Sequence, residues 1–297
     1  MAAPNSPPNT ETSTEANAET DTDCGVAVLA NDRVHEWFLP FLRSFRDHNP
    51  DMPAVVIPYH KDMTRTAAAA ADHGFEVADR DFRDIDRFAR TLYPRNRYRR
   101  HKVRKIAVFD LPFATTIYID IDTIVLQSFA PLKDVLAAGK AELVYASETP
   151  GWVYKPGYER VPQLAAGPLF SDGFFATSRR FLTSDQIMET TREELSLYRA
   201  LRQDQVYSQP LINFAAHMRG LALRPVSAVT PDLSDVSFYQ EDGVVADNGT
   251  FRDAAGRKLI FIHWAGAKDH DAGTDARFGA LWRRYRESGK QIILKRP

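Results

Sequence analysis

The sequence predicts an α/β protein in which a mostly parallel central sheet is flanked by helices, and three observations carry that expectation. From Cys24 to Val77 short apolar runs alternate with amphipathic ones across short connections, the pattern of βαβ units. In mid-chain, Thr115 to Leu126 (TTIYIDIDTIVL) has the β-branched and aromatic composition of a strand buried on both faces. A second such run, Lys258 to Trp264 (KLIFIHW), lies close to the end, so strands are drawn from the whole length. A chain of 297 residues can bury roughly 75% of its unfolded surface. One large domain over residues 24–297 is expected.

The first 23 residues, MAAPNSPPNTETSTEANAETDTD, read as a disordered tail. Pro, Asn, Thr, Ser, Glu and Ala dominate there and cannot bury enough apolar surface to offset their ordering entropy. They have neither a basic segment nor an apolar core of the kind a secretory signal needs. No apolar run approaches the ~20 residues that span a bilayer. The single cysteine, Cys24, excludes an internal disulfide framework and a cysteine-based zinc site. It fits a reducing compartment, and a cytoplasmic location is expected. A formal net charge of −1 argues against a general nucleic-acid binder.

The elements follow in order. GVAVLAND is a first strand that exits through Ala30, Asn31 and Asp32. His35 to His48 places Trp37, Phe38, Phe41, Leu42 and Phe45 at helical spacing, and Pro50 and Pro53 stop it. Ala54 to Ile57 is a second buried strand, Asp62 to His73 an alanine-rich helix closed by Gly74, and Phe75 to Val77 a third strand. Neither Gly-x-Gly-x-x-Gly nor Gly-x-x-x-x-Gly-Lys-Ser/Thr occurs, so dinucleotide-dependent and P-loop chemistry lose their support. A phosphate here has to be held by a metal or by basic side chains.

Arg95 to Leu111 (RNRYRRHKVRKIAVFDL) supplies the basic side chains, read as a helix with Val103, Ile106, Ala107 and Phe109 inward. Most of its charge is a solvated face; Lys105 is the residue expected to reach the site. Asp120 and Asp122 then interrupt an apolar strand. Burying unpaired carboxylates is expensive, so the two belong past the strand's carboxyl end, where an open α/β sheet binds its ligands. Mg²⁺ or Mn²⁺ is their natural partner.

Pro131 begins a short helix and Glu142 to Ala146 makes another strand, followed by an aromatic loop, residues 148–167, with Trp152, Tyr154 and Tyr158. Such rings either stack on a substrate or pin the loop to the body. In LFSDGFFATS, Gly173 permits close approach of a ligand, and Asp172 needs a polar partner in so apolar a strand. Ser184 is the expected cap of a helix over roughly residues 185–201, and Gln203 to Met218 reads as a second helix opened by Asp204 and Gln205. KLIFIHW exits through His263 into Gly266 and Lys268. A neutral imidazole at a strand end completes a metal shell, and Gly266 with Lys268 suits a phosphate.

These segments, in this order, resemble nucleotide-sugar glycosyltransferases of the GT-A fold, most closely those of family 8. The resemblance rests on VLAND, KIAVFDLPFATTIYIDIDT, SDG, the pair Asp204-Gln205 and HWAGAK. It implies a single GT-A-like domain with Asp120, Asp122 and His263 as ligands of Mn²⁺ or Mg²⁺, and with Asp120, Ile121 and Asp122 against the donor. Gly266 and Lys268 complete the phosphate clamp, Ala30, Asn31 and Asp32 lie near the nucleoside, and Lys105 lies near the donor. Asp172, Asp204 and Gln205 fall beside the donor sugar. The implied reaction moves a hexose from a nucleotide sugar, a UDP-sugar above all, to a hydroxyl of a carbohydrate or other acceptor, with retention. The chain departs from the family at Asp172, where an amide is common, and at Asp269-His270, where Pro-Trp is common. A metal-dependent phosphodiesterase or nucleotidyltransferase, and a non-catalytic sugar-nucleotide binding domain, are the alternatives.

Overall fold

The computed structural model describes residues 22–247, 249–275 and 277–292. Of the expected tail, residues 1–21 lie outside that range, and the first strand, β1 (Thr22–Ala30), starts two residues ahead of Cys24. It is followed by α1 (His35–His48), β2 (Ala54–Pro58), α2 (Thr64–Asp72), β3 (Glu76–Val77) and α3 (Arg83–Leu92). The bounds of α1 are those its apolar stripe predicts, because Phe38, Phe41, Leu42 and Phe45 fall on one face and are fully buried.

Residues Arg99–Asp110 form a 3-10 helix rather than the expected α-helix. Val103, Ile106 and Phe109 recur every third residue, the period at which 3-10 side chains eclipse. The acidic run is likewise not one strand but two, β4 (Phe113–Ile119) and β5 (Thr123–Val125), with Asp120, Ile121 and Asp122 in the bend between them. Then come α4 (Lys133–Ala137), β6 (Leu143–Tyr145), α5 (Pro150–Val153), α6 (Pro162–Ala165) and β7 (Phe174–Thr177). The helix expected near residues 185–201 is broken at Glu194 into α7 (Ser184–Glu193) and α8 (Leu195–Leu201). Its cap is Thr183, whose hydroxyl accepts from Gln186 N at 3.2 Å, while Ser184 is already inside the helix.

Helix α9 (Gln209–Met218) begins six residues later than expected, with Pro210 in its first turn, where a missing N–H costs nothing. Asp204 and Gln205 therefore lie in the segment before it. The chain closes with β8 (Leu223–Pro225), α10 (Val226–Val229), β9 (Val245–Asp247), β10 (Thr250–Arg252), β11 (Phe261–His263), α11 (Asp269–Thr274) and α12 (Gly279–Ile292).

Among the described residues the main sheet has seven strands in the order β3-β2-β1-β4-β7-β6-β8. β1 runs parallel to both β2 and β4, and β6 to β8, whereas β7 is antiparallel to its neighbours β4 and β6. Alternate residues of β1 divide between two layers. Val26 and Val28 pack under α1 and α2, and Ala27 under α3, α7 and α9. β11 pairs antiparallel with β5, placing His263 opposite Thr123.

Candidate active site

The site is assembled where β1, β2 and β4 end together. Along β4, Tyr118 and Asp120 point to one face by strand alternation, and Lys105 comes up beneath them from the 3-10 helix. Its Nζ lies 3.1 Å from Asp120 Oδ1, 3.0 Å from Asp172 Oδ2 and 4.4 Å from the centre of the Tyr118 ring, and it donates to the Asp172 carbonyl at 2.9 Å. The Tyr118 hydroxyl donates to the same Asp120 oxygen at 2.5 Å. Asp120 N donates to Gly173 O at 2.8 Å, tying the bend to the turn before β7 that carries Asp172.

Register brings the imidazole in. Trp264 N donates to Asp122 O at 2.9 Å, extending the β5–β11 ladder by one step past His263. His263 Nε2 then sits 3.1 Å from Asp122 Oδ1 and 4.0 Å from Asp120 Oδ2. Its ring stacks on Phe238 at an interplanar angle of 28°, with centroids 5.4 Å apart. Gly173 makes room for it: a Cβ there would stand 2.7 Å from His263 Cε1. The glycine of SDG thus admits the imidazole rather than the close ligand that the sequence alone suggested.

Charges in this cluster hold one another. Burial works against the ammonium of Lys105, but Asp120 and Asp172 outweigh it and raise its pKa. Burial would likewise raise the Asp120 carboxyl, yet Lys105, His263 and the Tyr118 hydroxyl hold it below its ordinary value. His263 is disfavoured as a cation by burial and favoured more strongly by Asp122 and Asp120, so its pKa is raised.

One oxygen from each of Asp120 and Asp122 and one nitrogen of His263 lie within 4.8 Å of one another, a group that could hold a metal ion. Ligands about 2.1 Å from an octahedral ion stand roughly 3 to 4 Å apart, so the three need to draw in only slightly. Two carboxylates and one imidazole form a donor set for a hard or borderline divalent cation.

A cleft of about 340 Å³ opens over this cluster. One end is apolar and aromatic, lined by Leu29, Val34, Trp37, Tyr59 and Tyr98, with Arg99 and Lys102 beside them. Lys105, Asp120, Ile121, Asp122 and Asp172 form the middle, and Val206 to Gln209 the far wall.

The other sequence-selected residues stand outside that lining. Ala30 and Asn31 are fully buried, and Asp32 turns to α2, accepting from Thr66 N at 2.8 Å. Asp204 is paired with Lys155 at 2.8 Å and leaves its side chain 67% exposed, and Gln205 is exposed next to it. Gly266, with φ +76°, and Lys268 are exposed in the turn after β11.

Two lining residues bonded to the acidic cluster escaped the sequence reading. Gln209 is buried at the start of α9, donates to Thr149 Oγ1 at 3.0 Å and accepts from Asp172 N at 3.4 Å. Pro210 was the signal for that helix start. Tyr118 stands two residues before Asp120, the spacing that puts both on one face.

No family model matches the chain, and no curated protein does. Solved structures do. A galactosyltransferase, LgtC, in complex with donor and acceptor sugar analogues superposes with a TM-score of 0.62 at 16% identity, covering 89% of this chain and 95% of that one. The bifunctional glycosyltransferase WbbM gives 0.55 at 13% identity, over 91% of this chain and 52% of the other. GlyE of Streptococcus pneumoniae TIGR4, also a glycosyltransferase, gives 0.51 at 11% identity, over 90% of this chain and 60% of its own. The architecture is therefore the GT-A glycosyltransferase fold, similar to that of family 8.

Proposed function

We propose that the protein is a metal-dependent glycosyltransferase that moves a hexose from a nucleoside-diphosphate sugar, a UDP-sugar by its resemblance to family 8, to a hydroxyl of a carbohydrate or other acceptor, with retention. The observation that carries this reading is the meeting of Asp120, Asp122 and His263 within 4.8 Å under a cleft whose other end is aromatic. The fold supports it, and so does charge. Three carboxylates and three cations line the cleft, so a divalent ion leaves two positive charges, the complement of a diphosphate diester.

In this reading Asp120, Asp122 and His263 hold Mn²⁺ or Mg²⁺, which supplies Lewis-acid stabilisation of the diphosphate leaving group. Lys105 keeps Asp120 ionised and adds positive charge under the phosphates, and Arg99 and Lys102 add more at the cleft wall. Charge developing on the leaving group is thereby stabilised more in the transition state than in the ground state. Gly266 and Lys268, on the turn next to His263, close over the phosphates, and the nucleoside lies against Tyr59 and Tyr98. Asp172 and Gln209 flank the position of the transferred sugar, with Asp204 and Gln205 on the rim beyond.

The test is calorimetry with UDP-glucose and UDP-galactose, with Mn²⁺ and with EDTA, beside an assay for UDP release. Asp122→Asn is expected to abolish metal-dependent donor binding with the melting temperature nearly unchanged, because this side chain is partly exposed at a bend. Full donor affinity in that variant would refute the metal assignment. Cleavage of a plain phosphodiester in place of the sugar nucleotide would favour a phosphodiesterase or nucleotidyltransferase.

A further inference from the structure

Trp152 is the one exposed aromatic side chain among the described residues, 56% accessible while its neighbours Val153 and Tyr154 are buried. The residues that hold it reach the cleft. Trp152 N donates to Thr149 O at 2.9 Å, and Thr149 Oγ1 accepts from Gln209, a lining residue, at 3.0 Å.

The turn that carries the indole is braced against the chain just before the cleft wall. Gln203 Nε2 donates to Gly151 O at 3.3 Å and to Tyr154 O at 3.0 Å, and Lys155 N donates to Leu201 O at 2.6 Å. Lys155 Nζ and Arg202 hold the Asp204 carboxylate at 2.8 and 3.3 Å. The result is a braced backbone beneath the exposed indole, with an exposed carboxylate and the amide of Gln205 on the adjoining segment, next in the chain to the wall formed by Val206 to Gln209.

An exposed indole costs apolar hydration that its own fold does not recover. A flat apolar ring beside hydrogen-bonding groups matches a pyranose, which has one C–H-rich face and hydroxyls around its edge. We infer that Trp152, with Asp204 and Gln205 on the segment bonded to its turn, forms an outer subsite for a sugar ring of a carbohydrate acceptor, the indole stacking on the ring face. This rests on the transferase reading. It assigns the acceptor to the saccharides and makes Trp152 a residue that selects it.

The test uses the full chain and its intrinsic fluorescence, since Trp264 and Trp282 are fully buried and Trp37 is half-buried. Lactose, cellobiose, maltose and N-acetyllactosamine are titrated into the wild type, Trp152→Ala and Trp152→Phe, and UDP-galactose and UDP-glucose with Mn²⁺ are titrated in parallel by calorimetry. The expected result is a saturable emission change with at least one disaccharide, lost in Trp152→Ala. The dissociation constant, measured by calorimetry, rises about tenfold in Trp152→Ala and is partly restored in Trp152→Phe, with donor binding the same in all three. If all four disaccharides leave the emission unchanged while donors bind normally, the subsite is overturned and the transferase reading stands. A disaccharide response without any donor binding overturns the transferase reading and leaves Trp152 as a saccharide-binding position.

Discussion

His263 is held from three sides, and each contact limits what its ring can do. Phe238 covers one face, Asp122 meets Nε2 at 3.1 Å, and the hydrogens of Gly173 are all that fits on the edge carrying Cε1. Groups around a metal ligand that fix the orientation of its ring are worth about 10- to 100-fold in metal affinity. Gly173→Ala is therefore expected to displace the imidazole, because its Cβ would stand 2.7 Å from Cε1 and 3.0 Å from Nδ1. Mn²⁺ affinity, measured by titration calorimetry, should fall by about 10- to 100-fold, with the fold retained by circular dichroism. Unchanged affinity would mean that Gly173 serves the backbone turn alone. Lys105 shows the same economy: a cation between Asp120 and Asp172 stays charged although it is only 4% exposed.

The 3-10 helix over residues 99–110 brings Arg99, Lys102 and Lys105 to the cleft, and Asp86 of α3 anchors it. Arg104 meets both oxygens of Asp86, at 2.9 and 2.7 Å, and donates to Pro58 O at 2.8 Å. Burial raises the Asp86 carboxyl, but the Arg104 guanidinium and His101 outweigh it and hold its pKa far below the 3.8 of an unperturbed aspartate. A depressed carboxyl gives stability that is present above its unfolded pKa and lost as pH falls through the folded one. Asp86→Asn should cost about 2 kcal/mol at neutral pH, seen as a lower urea midpoint, and the gap to the wild type should narrow below about pH 4. A gap that stayed constant across that range would remove the ion pair as its cause. What the sequence revealed at this scale depended on whether the signal was local. The stripe of α1 and the Pro50 stop lie within one element, and both bounds follow from them. The division of TTIYIDIDTIVL into β4 and β5 follows only in part, since Asp120 and Asp122 mark where the first strand ends, whereas the second strand forms by β5 pairing with β11 far along the chain. Two misses had local signals: the three-residue spacing of Val103, Ile106 and Phe109, and Pro210 at the head of α9. The carboxylates and His263 could be placed at strand ends because buried charge is costly, whereas Gln209 and Tyr118 become site residues only once helix start and strand face are known.

Across the whole molecule, the last described α-helix returns to the first. Helix α12 packs on α1, with Arg43 donating to Tyr285 O at 2.7 Å, and the two elements share an aromatic contact in which the Trp37 and Trp282 rings lie 4.5 Å apart. Trp282 is fully buried, Trp264 lies 5.4 Å from it, and Trp264 N bonds to Asp122 O, so one cluster supports both the aromatic end of the cleft and the candidate metal ligands. Trp282→Ala would leave a cavity behind Trp37 and Trp264 and is expected to cost about 3 to 5 kcal/mol, measured as the loss in urea unfolding free energy. If the cluster positions the site, the folded variant should also bind UDP-galactose more weakly in Mn²⁺, since Trp37 would be free to rotate away from the cleft. Trp282→Phe, which keeps an aromatic ring at that place, should recover most of the donor affinity and only part of the stability. Donor affinity that tracked stability alone across the two variants would show α12 to be a brace for the fold. Affinity restored ahead of stability would show that the last helix sets the shape of the cleft through Trp37.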